Sequence, residues 1–315
     1  MLTILVCAYA SPTGFWKAAE NAWRPGDRPL GGTYLNTSYC ERSQLRLAEL
    51  RVPFCVVPAQ PHIVPHRRQR QRQDWISTNV KRHGRWTECD HLVSAWNRSV
   101  GDEDALYVDV GTNIGACAVQ MLALTRAHLV AVEPNPNNLF YLTRSLNLPG
   151  LSELLAGGKG HSLRQRAIVF PMGAGATNGT VSLVMDPLNQ GNSAVSSDGL
   201  IAGRNPGETH ALVRVPDVLI RQLDDILEAT GTDHLRRVRL LKLDVQGYEC
   251  LVLRGASRAL RSVDAIFAEA DESQLRRQGC SVATLRQLLV MNGFNVKNTR
   301  TRTEGAFEAY RKQVT

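Results

Sequence analysis

The sequence predicts a doubly wound α/β domain over residues 101–315, with a mostly parallel sheet and helices on both faces. Three observations carry this. Strand and helix patterns alternate beyond residue 101 with short connections, as βαβ units require. The runs 106–110, 128–132 and 238–245 are almost continuously apolar, which suits strands buried on both faces rather than half-exposed ones. The first run ends in Asp109-Val-Gly-Thr-Asn-Ile-Gly115 and leads straight into a helix-forming segment, the form of a ligand-binding strand-to-helix turn.

Residues 1–74 read as an N-terminal extension. Residues 2–10 are apolar and close on Ala-Tyr-Ala, yet they lack a basic flank and are too short to span a bilayer. A soluble protein is expected, with the cytoplasm favoured. The N-x-S/T triplets at Asn36, Asn97 and Asn178 are close to the number that chance gives and carry little weight, and a secretory route stays the alternative to the cytoplasm. Residues 11–60 are rich in Gly, Pro and Asn, with one helical stretch expected near 41–50. Residues 65–74 interleave Arg67, Arg68, Arg70 and Arg72 with Gln, a basic linker without the neighbouring aromatics that base stacking needs. In residues 75–100, Ile76, Val80, Trp86, Leu92, Val93 and Trp96 fall at helical spacing and predict a helical cap on the domain that follows.

Within 101–315, residues 116–126 are rich in strong helix formers, and 128–133 form a second buried strand that stops at Glu133. Asn135 is a helix cap with Pro136 at the first position, and Leu139, Phe140, Leu142 and Leu146 give that helix an apolar face. Strands are expected at 167–170 and 180–185, then a loop over 186–208 that shapes an acceptor pocket, and a short helix at 219–227. The strand 238–245 is unusual in holding Lys242 and Asp244 inside an apolar run. A helix at 249–260, a strand at 265–268, a capped helix at 281–292 and an antiparallel pair at 294–296 and 306–310 complete the order.

Composition bounds the function classes. The chain is 315 residues long and 43% hydrophobic, enough for a sizeable core, and its charge of +8 favours acidic partners without selecting one. Seven cysteines, odd in number and without a C-x-x-C pair, indicate neither a zinc site nor a disulfide framework. No His or Asp cluster points to a metal.

Chemistry concentrates at the strand ends. A carboxylate at Glu133, following the glycine turn by roughly 20 residues, is placed to accept hydrogen bonds from a ribose diol; the alternative is a cap for the next helix. Asp109 stands where a dinucleotide turn has its first glycine. It would repel a pyrophosphate but attract a sulfonium or ammonium, and S-adenosylmethionine carries both cations and no phosphate. An acid inside a buried strand costs several kcal/mol unless it is paired.

The segments Asp-Val-Gly-Thr-Asn-Ile-Gly (109–115), Val-Glu-Pro-Asn-Pro (132–136), Leu-Lys-Leu-Asp-Val-Gln-Gly-Tyr-Glu (241–249) and Leu-Arg-Gly-Ala (253–256) resemble the FkbM family of methyltransferases, in order and spacing. The resemblance covers roughly residues 75–294. It implies a Rossmann-like, seven-stranded class I methyltransferase fold, S-adenosylmethionine as donor, and O-methylation of a hydroxyl on a sugar, glycan, lipid or natural product. It places Asp109, Gly111, Asn113 and Gly115 at the methionine half of the donor and Glu133 at its ribose. Gln246 departs from the Glu that the family often has. Asp244 is the candidate base or substrate orienter, with Lys242 and Glu249 as its partners; a buried ion pair that merely fixes the strand is the competing reading. Two rival functions share part of this pattern: a nicotinamide-dependent oxidoreductase, and a noncatalytic basic module that binds RNA or membrane phosphates.

Overall fold

A computed structural model describes residues 22–30, 40–58, 74–99, 104–156, 162–186, 193–195, 212–231, 237–300 and 305–312. The described chain opens with an antiparallel hairpin, β1 (Glu41–Leu47) and β2 (Leu50–Val56). A helix was the expectation for β1. Its Glu, Arg, Gln and Leu residues do favour helix, but Leu45 and Leu47 lie two apart and both face the core, so packing on a period of two decides the conformation. Helices α1 (Trp75–His83) and α2 (Glu88–Arg98) follow. The Asp74 side chain caps α1 by accepting from the Ser77 N–H, and Gly84 ends it in the left-handed conformation.

The alternating region then runs β3 (Leu106–Val110), α3 (Ala116–Leu124), β4 (His128–Val132), α4 (Pro136–Leu146), α5 (Leu151–Ala156), α6 (Leu163–Arg166), β5 (Ala167–Phe170), β6 (Gly173–Ala174), β7 (Gly179–Met185), β8 (Ala194–Val195) and β9 (Val213–Arg221). It continues as α7 (Leu223–Glu228), β10 (Val238–Leu243), α8 (Glu249–Arg254), β11 (Val263–Glu269), α9 (Glu272–Arg277), α10 (Val282–Met291), β12 (Phe294–Arg300) and β13 (Gly305–Arg311). Seven strands form one sheet in the order β12-β13-β11-β10-β3-β4-β5, in which only β13 runs against the rest.

Successive residues of the central strands feed two cores, one on each face. Leu106, Val108 and Val110 belong to one, Tyr107 and Leu129 to the other. Connections from β3 leave toward β4 on one side while β10 lies on its other side, so a crevice opens at the carboxyl ends of these strands. A second sheet, β6-β9-β7-β8, stands beside that crevice. Its strand β9 replaces the first turn of the helix expected at 219–227. Pro216, and Asp217 with φ 57°, had masked the strand; they sit where its register with β7 shifts, a bulge that accommodates proline.

The structure corrects the cysteine reading. Disulfides join Cys40 to Cys55, Cys89 to Cys117 and Cys250 to Cys280. Cys40 and Cys55 meet across the β1–β2 hairpin, a segment expected to be helical, and the other two pairs meet only through tertiary packing: Cys89 lies on α2 and Cys117 on α3, 28 residues apart. The seventh cysteine, Cys7, lies outside the described residues, as do Arg67 to Arg72 and most of the 186–208 loop. Among the described residues no helix is long and apolar enough to cross a membrane. Helices α1 and α2, expected as a cap, are fastened to the sheet domain: Gln120 donates to Asp90 at 2.7 Å, and the Arg239 guanidinium lies 4.7 Å from the centre of the Trp96 ring.

Candidate active site

The turn after β3 is shaped by three residues with positive φ: Gly111 (83°), Asn113 (56°) and Gly115 (91°). Gly111 must lack a side chain, because a Cβ would overlap the carbonyl oxygen of Asp244. Asn113 tolerates the left-handed region, and its Oδ1 accepts from the Ile114 N–H at 2.7 Å. Gly115 caps α3, and a Cβ there would strike Leu142 on α4, so its role is close packing.

Glu133, one residue past β4, reaches back to this turn. Its Oε2 accepts from the Asn113 N–H at 2.7 Å, and its Oε1 from the Asn135 N–H at 2.8 Å and from Asn138 Nδ2 at 3.4 Å. Burial pushes the carboxyl up to about 7, against the pull of these hydrogen bonds. It lines the crevice and braces two backbone segments at once, so the bracing role is present and the side chain also faces the cleft.

On the adjoining strand Lys242 stands opposite Asp109 in the β10–β3 register. Its Nζ lies 3.2 Å from Asp109 Oδ1, 2.9 Å from the Gly111 carbonyl oxygen and 3.2 Å from Asp244 Oδ2. An ammonium has three N–H donors, and these three partners use them all. Burial opposes its charge, but Asp109 and Asp244 outweigh that and hold Lys242 above the usual ammonium range. Asp109 is fully buried and also accepts from the Tyr107 hydroxyl at 3.0 Å; burial pushes its carboxyl up while Lys242 pulls it down. One cation thus serves two carboxylates, and the cluster carries one excess negative charge whose exposed end is Asp244, with a side chain 24% accessible.

Glu249 does something else. Its Oε1 accepts from the Val245 N–H at 3.0 Å and the Gly247 N–H at 3.3 Å, which folds the loop between β10 and α8; burial pushes this carboxyl up to about 7. No ion pair joins it to Asp244, since both are acids.

The cleft, counted together with the open solvent at its mouth, spans about 600 Å³. Of the residues singled out from sequence, Gly111, Asn113, Glu133 and Asp244 line it; Asp109, Gly115, Lys242 and Glu249 lie behind its wall. Gln246, Tyr248 and Asn138 complete the polar lining, while Leu183, Val195 and Ile220 of the second sheet supply an apolar side. Tyr248 lies inside the 241–249 segment and was legible there. The second-sheet residues had no sequence signal, because they arrive from strands far along the chain. Among the described residues no group of three or more His, Cys, Asp or Glu is placed to hold a metal ion.

Residues 109–296 match the methyltransferase FkbM domain. Hexuronic acid methyltransferase AglP of Haloferax volcanii is 26% identical over 170 residues, which cover 53% of this chain and 56% of that protein. Methyltransferase 1 of Beauveria bassiana is 27% identical over 203 residues, 62% of this chain and 74% of that one. The chain therefore spans little more than half the length of the first of these relatives. Among solved structures, the precorrin-6y C5,15-methyltransferase of Geobacter metallireducens aligns with TM-score 0.35 at 10% identity over 71% of this chain and 88% of its own. The N-terminal domain of EvdMO1, solved with SAH and D-fucose, aligns with TM-score 0.35 at 11% identity over 72% and 82%.

Proposed function

The chain belongs to the methyltransferase FkbM domain family, and from that premise we propose that it transfers a methyl group from S-adenosylmethionine to a hydroxyl of a sugar-like acceptor. The observation that carries the reading is the pairing, in one cleft, of a ribose-type carboxylate at Glu133 with a cluster whose single excess negative charge emerges at Asp244. A donor with two cations and no phosphate suits that charge; the charged side chains that line the cleft among the described residues, Glu133 and Asp244, are both acids and would repel a pyrophosphate, which disfavours a nicotinamide cofactor.

The residues fit the donor on their geometry. Gly111 has no room for a side chain, so backbone closes the cleft floor there, and of the roughly four lone-pair sites of the Glu133 carboxylate the three donors leave one, on Oε2, for a ribose hydroxyl. Glu133 would hold the ribose hydroxyls, the turn at Gly111 and Asn113 the methionine portion, and the second sheet would cover the apolar face of the adenine. When bound, S-adenosylmethionine supplies an electrophilic methyl carbon and a neutral thioether leaving group. Asp244 then orients the acceptor hydroxyl and takes its proton at a carboxylate oxygen as the new C–O bond forms. Lys242 holds one oxygen of Asp244 at 3.2 Å, and Asp109 keeps Lys242 in place.

The hexuronic acid named for the haloarchaeal relative makes hexuronic acid glycosides the first acceptors to try. Isotopically methyl-labelled S-adenosylmethionine incubated with the protein and a methyl hexuronoside, a neutral hexoside and an amine should label a hydroxyl of a sugar. Binding of NADH without binding of S-adenosylmethionine, by calorimetry, would overturn the reading. The three disulfides support work in an oxidising compartment.

A further inference from the structure

The loop after β10 contains the only non-glycine residue with positive φ on the cleft's Asp244 side among the described residues, Gln246 at 53°. It is followed by Gly247 at 100°, where a Cβ would overlap the backbone carbonyl of Gln274 on α9. This contorted pair aims the Gln246 amide back at the strand ends. Its Nε2 donates to Asp244 Oδ1 at 3.2 Å and to Glu269 Oε2, at the end of β11, at 3.0 Å; its Oε1 accepts from Gln274 Nε2 at 3.1 Å.

Both N–H groups of the amide are therefore spent on carboxylates, one of them in the cleft. Asp244 is held on its two oxygens from opposite sides, Oδ2 by Lys242 and Oδ1 by Gln246, which fixes the plane of the carboxylate. A residue that only braced the loop would need no donor toward Asp244. Left-handed conformations at non-glycine residues cluster where surrounding structure imposes them for function.

We propose that Gln246, anchored by Glu269 and Gln274, is a positioning residue that sets the orientation of the Asp244 carboxylate toward the acceptor hydroxyl. The inference rests on the reading of Asp244 given above. The charged and titratable groups around Asp244 are Lys242 on its own strand, Asp109 and Tyr107 on β3, Glu249 on α8 and Glu269 on β11 behind Gln246. Glu133 faces the same cleft from β4.

The test uses the full chain at saturating S-adenosylmethionine, so that titration of Glu133 in donor binding does not enter, with a methyl hexuronoside as acceptor. Gln246→Met keeps length and removes both donors. It should lower kcat about tenfold and move the acid limb of the pH–kcat profile upward by about half to one pH unit, because a donor that favoured the ionised carboxylate is gone. Glu269→Gln leaves an oxygen for Gln246 to donate to and removes a negative charge, so the limb should move the other way. Donor Kd should stay within about twofold in both. An acid limb unmoved in either folded variant overturns the proposal, and if Gln246→Met does not fold, Glu269→Gln decides. Loss of turnover in Asp244→Asn with an unmoved limb in Gln246→Met sinks this inference alone, whereas full turnover in Asp244→Asn sinks the reading of Asp244. An acceptor-free arm follows the Gln246 side-chain amide by 15N NMR, assigned by its loss in Gln246→Met: it should shift in Asp244→Asn, and an unchanged resonance also overturns the proposal.

Discussion

Replacing Lys242 with Met separates scaffold from chemistry in the charge cluster. The Lys242 side chain is 4% exposed and gives its three N–H donors to Asp109, Gly111 and Asp244. Met fills similar space without charge or donor. Asp109, at 0% exposure, would be left with the Tyr107 hydroxyl as its remaining side-chain partner, an uncompensated buried carboxylate costing roughly 3–5 kcal/mol. The Gly111 carbonyl loses a charged donor as well, about 1.5 kcal/mol more. With roughly 2–4 °C of Tm lost per kcal/mol in a domain of this size, Lys242→Met should melt about 10–20 °C lower.

Asp244→Asn makes the contrast. Lys242 keeps Asp109, and the new amide oxygen still accepts from it, so about 1 kcal/mol is lost, or roughly 2–4 °C of Tm. Turnover should fall roughly 10²–10⁴-fold, the range for losing a general base. Differential scanning calorimetry and methyl transfer on the same preparations read both. Equal, large drops in Tm with normal turnover in the folded fraction of Asp244→Asn would refute the division into a scaffold lysine and a working aspartate.

Four further outcomes follow from the same structure. Glu133→Ala should weaken donor binding by about 1.5–3 kcal/mol with a native circular dichroism spectrum, the scale of a hydrogen bond to a charged group; equal affinities would leave Glu133 only its bracing role. Because burial holds Glu133 up to about 7, its protonated form prevails below that pH, so calorimetric donor affinity should fall by up to about tenfold per pH unit below 7. In the protein without ligand the sign reverses: a raised carboxyl contributes stability below its unfolded value near 4.5 that is lost as pH rises through about 7, a trend to be read in Tm against pH. Reduction should lower Tm, since opening Cys89–Cys117, with its separation of 28, releases about 3–4 kcal/mol of chain entropy into the unfolded state; an unchanged melt in dithiothreitol, with free thiols counted, would count against this pairing.

What was legible depended on how local the cause is. The runs 106–110 and 128–132 announced buried strands because they are apolar on both faces except at Asp109 and His128, with Asp109 next to the end of the first and Glu133 just beyond the second. Strand β9 was hidden because its proline and its left-handed Asp217 mark a bulge, and only the partner strand β7 shows that the ladder resumes. The same holds for the site. Gly111, Asn113, Glu133 and Asp244 were legible as strand-end residues, but the bridge from Asp244 through Gln246 to Glu269 links the carboxyl ends of two neighbouring strands, with Gln246 and Glu269 23 residues apart. Cysteine pairing failed for the same reason in Cys89–Cys117 and Cys250–Cys280, whose partners are neighbours only after helices pack, whereas Cys40–Cys55 was hidden with the hairpin that it spans.

Asp109 is where sequence and structure part most usefully. Read from sequence, it faced the cationic donor; the fold sets it behind the cleft wall, its charge met by Lys242 and Tyr107. Its effect on a donor is then indirect: with both acids present the cluster has one surplus negative charge, and without Asp109 the remaining Lys242 and Asp244 are neutral together. Asp109→Asn should keep stability within about 1 kcal/mol, because relief of the carboxylate's burial offsets the weaker pairing with Lys242. Donor affinity should fall about 3–10-fold, a field effect through a partly screened cleft rather than a lost contact. Calorimetry on the folded variant decides between the two placements. A loss near a hundredfold, with an unchanged melt, is what a direct hydrogen bond or ion pair to the donor would produce, and it would return Asp109 to the binding surface.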